Sequence, residues 1–244
     1  MQRRSIKRRL LVLICTIILV TESGSAQESR LALYDLPDFQ ARILDHIDPD
    51  NLNVDLLADC IIFQTNGARR KHSLKECRAD GKLTAAAAAH SREMAKLQYF
   101  SHESPVKKNK TLDHRLKNAG IFLPGTTFGE NLGVDFILAL SEVPYYTETH
   151  RGRIHYYDFH TKKKIKAQTY RDFAVNMVKN WLASPGHRAN LLNGKYTKIG
   201  IGIARGRYKG HDALYVTQNF QGPITPASTG RDPQSIHRQR QGFR

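Results

Sequence analysis

Three side chains of this 244-residue chain have the types and neighbours for chemistry: His102, Glu130 and His187. His187 lies in Ser184-Pro185-Gly186-His187-Arg188-Ala189-Asn190-Leu191-Leu192. Proline lacks an amide donor and glycine tolerates unusual dihedrals, so Pro185-Gly186 is expected to stop a helix and project His187 and Arg188 from a corner. His102 closes Tyr99-Phe100-Ser101-His102, and Glu130 stands in Gly129-Glu130-Asn131-Leu132. Two neutral imidazoles, where they share a cleft, can bind Zn²⁺ and leave positions for water, and a carboxylate beside them can take a proton from that water. Catalytic zinc usually has three protein ligands, so two histidines make a weak, exchangeable site unless Glu130 completes it. Without metal, the same trio can hydrogen-bond a carbohydrate, a peptide or a lipid headgroup.

Other chemistries find no support in the residue pattern. His102-Glu103 begins like the zinc-protease motif His-Glu-x-x-His, yet position 106 is Val and Pro105 prevents the required helix. No Gly-x-Ser-x-Gly elbow occurs, and Gly200-Ile201-Gly202 lies inside a strand pattern rather than a phosphate loop. His90, within the alanine-rich segment, reads as a packed residue.

The elements that must position the trio are legible from periodicity. Val54 onward reads as a buried helix face ending near Asn66-Gly67, and Leu83 to Gln98, with five consecutive alanines, is the clearest helix. A shorter helix is expected over Leu112 to Ala119, then a turn-rich stretch leading to Gly129. Tyr170 to Leu182 returns to helical spacing with Phe173, Met177 and Trp181 on one stripe. Lys198 to Ala204 and Leu214 to Phe220 alternate as strands joined by a connection over 205–210. Residues 137–170 read as a basic, aromatic insertion, with seven Lys or Arg against one Asp between 150 and 171. A strand is expected near Arg153 to Phe159, in a surface hairpin or an anion-facing flap beside the site.

The two ends read differently from this middle. Five basic residues precede the apolar run Leu10 to Val20, and small residues follow, so residues 1–26 are expected to be a secretory signal cleaved near Ala26. The run is well short of the ~20 residues a spanning helix needs. An N-terminal extension, 27–53, includes a short docked helix, and 223–244 is expected to be a disordered basic tail. The whole chain has 38 basic and 22 acidic residues. Without residues 1–26 these become 33 and 21, a balance of +12. Such charge favours anionic membranes or polymer surfaces. Specific nucleic-acid binding is not expected, because no zinc-finger spacing, basic region with heptads or ribonucleoprotein motif appears. Outside the signal only Cys60 and Cys77 remain, and in an oxidising compartment they are expected to form a disulfide, for which the loop-closure estimate is about 3 kcal/mol.

Taken together, the ordered pieces Asn66-x-x-Arg69, Leu83 to Met94, Tyr99 to His102, Gly129 to Leu132 and Ser184 to Leu192 resemble the CAP superfamily, also called SCP or allergen V5-like, in its compact bacterial form. The resemblance covers about Leu56 to Phe220, with residues 54–222 as the domain. It implies an α+β fold: a three-layer α/β/α sandwich with a small, mostly antiparallel sheet. It also implies that His102, Glu130 and His187 converge in an open cleft, with His102 and His187 as metal positions for zinc or another weakly bound divalent cation. Glu130 is then the catalytic position of any reaction, and Ser101, Asn131 and Arg188 are ligand-binding positions. Many relatives carry a second glutamate where this chain has Ser184; Glu142 or Glu148 of the insertion are the available substitutes. A secreted binding module for an extracellular lipid, glycan, cell-wall or protein ligand is the leading expectation, and a metal-assisted hydrolase or protease is the alternative.

Overall fold

The computed structural model of the chain describes residues 36–140 and 144–223. The expected signal, residues 27–35 of the N-terminal extension, Glu142, and all of the expected tail beyond Pro223 lie outside the described residues. In chain order the helices are α1 (Pro37–Arg42), α2 (Val54–Lys71), α3 (Gly81–Leu97), α4 (Leu112–Asn118), α5 (Tyr170–Ala183) and α6 (Pro185–Leu191). The strands are β1 (Arg78–Ala79), β2 (Thr126–Phe136), β3 (Tyr145–His150), β4 (Arg153–Asp158), β5 (Lys198–Tyr208) and β6 (His211–Pro223). The main sheet has the order β1-β5-β6-β2, with β1 parallel to β5 and the other pairs antiparallel. β3 and β4 form a separate hairpin.

Strand alternation builds three layers. Ile199, Ile201 and Ile203 of β5, with Leu214, Val216 and Phe220 of β6, share one core with Leu57 and Ile61 of α2 and Phe173, Met177 and Trp181 of α5. The opposite face packs against α3, where Tyr215 meets Met94 and Ala95. α3 lies directly on the strand because Gly200 and Gly202 alternate with those isoleucines. A Cβ added at Gly202 would come within 2.0 Å of the Ala88 amide, and one at Gly200 within 2.3 Å of the Leu83 carbonyl carbon. The alanine run and the Gly-Ile-Gly strand are therefore two halves of one close contact. This is the α/β/α sandwich with a small, mostly antiparallel sheet that the family resemblance implied.

Several boundaries differ from expectation for tertiary reasons. α2 runs past Asn66-Gly67 to Lys71, because Asn66 and Arg69 make their hydrogen bonds inside the protein. Arg69, fully buried, donates to the carbonyls of Lys75, Leu191, Asn193 and Tyr196. The Asn-x-x-Arg motif thus ties α2 to the end of α6. β5 and β6 extend through the expected connection to a two-residue turn, Lys209-Gly210, with φ of 49° and 83°. The turn-rich reading near Gly129 gives way to an eleven-residue edge strand, β2. Its glycines face bulky neighbours: a Cβ at Gly133 would stand 2.2 Å from Met177 Sδ.

The expected disulfide is not formed; both cysteines are free and buried. Asn66 holds the main chain of Cys77 through two hydrogen bonds, and Cys60 lies six residues earlier on the same helix. That separation is about 9 Å along the axis and roughly a third of a turn around it. Cys77 Sγ instead donates to the Tyr196 carbonyl at 3.4 Å. Burial pushes the Cys60 thiol up to about 12, with the Asp59 charge adding to it. It likewise pushes Cys77 up to about 11, so both groups are neutral thiols in the core.

Candidate functional site

The site is assembled from three elements that meet at the end of the sheet where α6 begins. α5 ends at Ala183, and α6 starts at once with Pro185 in its first turn, where the missing amide costs nothing. Pro185-Gly186 therefore ends one helix as predicted but opens another, and His187 rides on the first turn of α6 rather than on a free corner. Asn131 of β2, fully buried, donates to the His187 carbonyl at 3.2 Å and to Gln218 Oε1 at 3.0 Å. Asn190 of α6 returns the contact, donating to the Glu130 carbonyl at 3.0 Å and to Asn131 Oδ1 at 2.9 Å. Gly129 makes room for this knot, since a Cβ there would lie 2.5 Å from the Tyr196 hydroxyl and 2.9 Å from Asn190 Oδ1.

His102 arrives from the other side. α3 is capped by Gln98, whose φ of 59° turns the chain away from the helix. Buried His90 bonds the Ser101 carbonyl through Nε2 at 3.1 Å and fixes the loop that follows. His102 Nδ1 then lies 2.9 Å from Glu130 Oε1. Its side chain is 55% exposed, whereas that of Glu130 is 4% exposed, so the imidazole reaches out of the cleft floor toward solvent. The rings of His102 and His187 are 6.5 Å apart between centroids, tilted by 45°. The structure brings His102, Glu130 and His187 together.

Sequence reasoning missed the residue that organises this floor. Arg115 of α4, as buried as Glu130, spans both carboxylate oxygens from Nη2 at 2.8 Å each. Its Nη1 donates to the carbonyls of His102 at 3.1 Å and Asn109 at 3.0 Å. One guanidinium holds both the acid and the loop that carries its histidine partner. The available signal was an arginine in the expected helix 112–119, immediately before buried Leu116, a position where a charge needs a partner.

Electrostatics follow from these contacts. Burial works to raise the Glu130 pKa, but the His102 hydrogen bond and the Arg115 charge outweigh it and hold the carboxyl below its ordinary value. For His187, burial and then the charge of His102 lower the pKa. Burial, with Arg115 next, takes His90 down to about 4. Glu130 is accordingly an anion at neutral pH, with two fixed partners.

The remaining expected positions lie around this centre in different ways. Ser101 is exposed at the rim, its hydroxyl accepting from the Glu103 amide at 3.1 Å. Asn131 lies beneath the surface. Arg188 turns outward, where its Nη2 donates to His72 Nε2 at 3.3 Å. Glu148 sits on the β3–β4 hairpin and bonds His150 at 2.9 Å. That hairpin contacts His211 at the far end of the sheet, so Glu148 does not stand in for the carboxylate replaced by Ser184. Among the described residues, no three or more His, Cys, Asp or Glu side chains form a group that could hold a metal ion. No described helix is long and apolar enough to cross a membrane.

Residues 62–220 match the model of the CAP, or cysteine-rich secretory protein, family. The uncharacterized membrane protein YlbC of Bacillus subtilis is 31% identical over 160 residues, covering 66% of this chain and 33% of that protein. The uncharacterized protein YkwD of the same organism is 28% identical over 142 residues, covering 58% of this chain and 40% of that protein. The chain thus spans well under half of either relative. Among solved structures, an extracellular SCP-domain protein from Bacillus anthracis aligns at 27% identity and a TM-score of 0.45, over 71% of this chain and 43% of that one. The family match runs from within α2 to Phe220 of β6 and includes all three residues of the cleft, and the chain belongs to the CAP family.

Proposed function

We propose that the protein is an extracellular binding module whose cleft, floored by Glu130 and flanked by His102 and His187, holds a polar group of its ligand. The observation that carries this reading is the buried Arg115–Glu130 pair, one guanidinium nitrogen shared by both carboxylate oxygens, with His102 attached to it. A general base works best with a pKa near the operating pH and must be able to take up a proton. Glu130 is held below the ordinary range with both oxygens engaged, which favours a fixed anion that orients His102 over a proton acceptor. With Nδ1 bonded to the carboxylate, His102 presents Nε2 outward, as a histidine does when a second group orients it for a ligand.

The donor set is compatible with a divalent cation held by His102 and His187 only, its remaining positions filled by water or ligand. When bound, such an ion would supply Lewis acidity toward an anionic or carbonyl oxygen. The protein side of the site binds and orients: Arg115 keeps Glu130 charged, Glu130 fixes the His102 ring, and Asn131 fixes the helix turn bearing His187. Lipid headgroups, glycans and peptides all offer oxygens for such a cleft.

Titration calorimetry with Zn²⁺ tests the proposal. Weak, saturable binding is expected, lost when His102 and His187 are both changed to Ala and retained in Ser184→Ala. Equal binding by the double variant removes the metal site from the cleft. Turnover of peptide, ester or glycan substrates that disappears in Glu130→Gln, with Zn²⁺ binding intact, replaces the binding module with a hydrolase.

A further inference from the structure

Among the described residues the β3–β4 hairpin forms no ladder with the main sheet, and it meets the β5–β6 turn at one imidazole. Tyr156 Oη lies 2.9 Å from His211 Nδ1 and Tyr145 Oη lies 3.3 Å from His211 Nε2. Phe136 packs edge-on against the same ring at 5.2 Å. Between hairpin and body is a cavity of about 420 Å³. Its lining combines aliphatic side chains, Ile137, Leu138, Leu140, Ile154 and Ala167, with Tyr156, Arg207, His211 and Asp212. Protein interiors are packed with few voids larger than a water molecule, whereas small-molecule pockets span about 300–1,000 Å³ and combine apolar walls with a few convergent polar groups. This cavity has the second character.

The charges in its lining select the ligand. Asp212 Oδ2 is engaged by Arg205 at 3.3 Å. Arg207 donates from Nη2 to the Gly210 carbonyl, and its Nη1 forms only a long ion pair with Asp212 Oδ1 at 4.0 Å, without a hydrogen bond. A guanidinium has five N–H donors in a fork that matches a carboxylate, so Arg207 retains donors directed by a fixed hairpin turn. The nitrogens of His211 are already shared with two phenols.

We propose that this cavity binds a medium-chain carboxylate, with its alkyl chain against Ile137, Leu138 and Leu140 and its head on Arg207. The site is distinct from the cleft. Phe136, beside the cavity, is six residues along β2 from Glu130, about 20 Å of extended strand. It depends on the insertion, which supplies Ile154 and Tyr156.

Titration of the purified protein with octanoate and decanoate tests this, using octanol and octylamine as head-group controls. Saturable binding is expected, strengthening roughly tenfold for the two added methylenes. Ile154 is 58% exposed, so Ile154→Glu leaves folding intact while placing a charge at the apolar wall, and should weaken decanoate at least tenfold. Arg207→Gln should weaken it about tenfold and abolish the preference over octanol, with partial rescue by Arg207→Lys. Changing His102 and His187 to Ala should leave it unaltered. The proposal is overturned by no saturable binding, by octylamine binding as tightly as octanoate, by unchanged affinity in Ile154→Glu and Arg207→Gln, or by loss in the histidine double variant. That last outcome would place the carboxylate in the cleft and leave the cleft proposal standing.

Discussion

Glu130 keeps its charge beneath the cleft because Arg115 is buried with it, and the pair must be broken together or not at all. Removing one partner leaves an uncompensated buried charge, so Arg115→Gln should cost about 3–5 kcal/mol in urea unfolding. Arg115→Met combined with Glu130→Leu should cost clearly less than the sum of the two single changes. His90 is the complementary case, a buried imidazole with its pKa lowered to about 4. A group whose folded pKa lies below its unfolded value takes up protons more readily when unfolded. Its neutral form therefore contributes full stability above about pH 6.5, and that contribution falls as pH drops toward 4, by up to roughly 3 kcal/mol. Urea midpoints at pH 7 and pH 4 should show a smaller acid loss in His90→Gln than in the natural chain.

At the scale of elements, the contact of α3 with β5 decides how close the layers come. Gly202→Ala drives a methyl into the main chain of Ala87 and Ala88 and should destabilise by about 3 kcal/mol or more, since neither atom belongs to a flexible side chain. Gly81→Ala, in the first turn of α3 with nothing within 4 Å of the added carbon, should be neutral or slightly stabilising. A comparison of thermal midpoints separates these outcomes. The same reasoning explains why periodicity located the helices but misjudged their ends. Asn66-Gly67 is a stop signal in isolation, yet Asn66 satisfies its side chain on Cys77 and Arg69 on four carbonyls, so the helix continues. β2 was hidden because Gly129 and Gly133 lower strand propensity for the sake of neighbours 44 to 67 residues away.

For the whole molecule, the sheet separates two regions. The cleft gathers at the Glu130 end of β2, while the basic aromatic hairpin closes on His211 at the opposite end. Replacing residues 145–164 by a short Gly-Ser linker should therefore leave Zn²⁺ binding at the cleft within about threefold of the natural value. A loss of tenfold or more in a chain that still unfolds cooperatively would show that the hairpin reaches the cleft.

The sequence by itself determined the layer-forming elements, the motif pieces bearing His102, Glu130 and His187, and the family, because local periodicity and short motifs are properties of neighbouring residues. Only the tertiary structure decided that Arg115 locks Glu130, that Asn131 works from below the surface, and that Arg188 turns toward His72. It also decided that Cys60 and Cys77 remain thiols. These outcomes depend on which side chains from distant segments come within about 3 Å of each other and lose their water, and hydrogen bonding and desolvation at that range leave no trace in spacing along the chain.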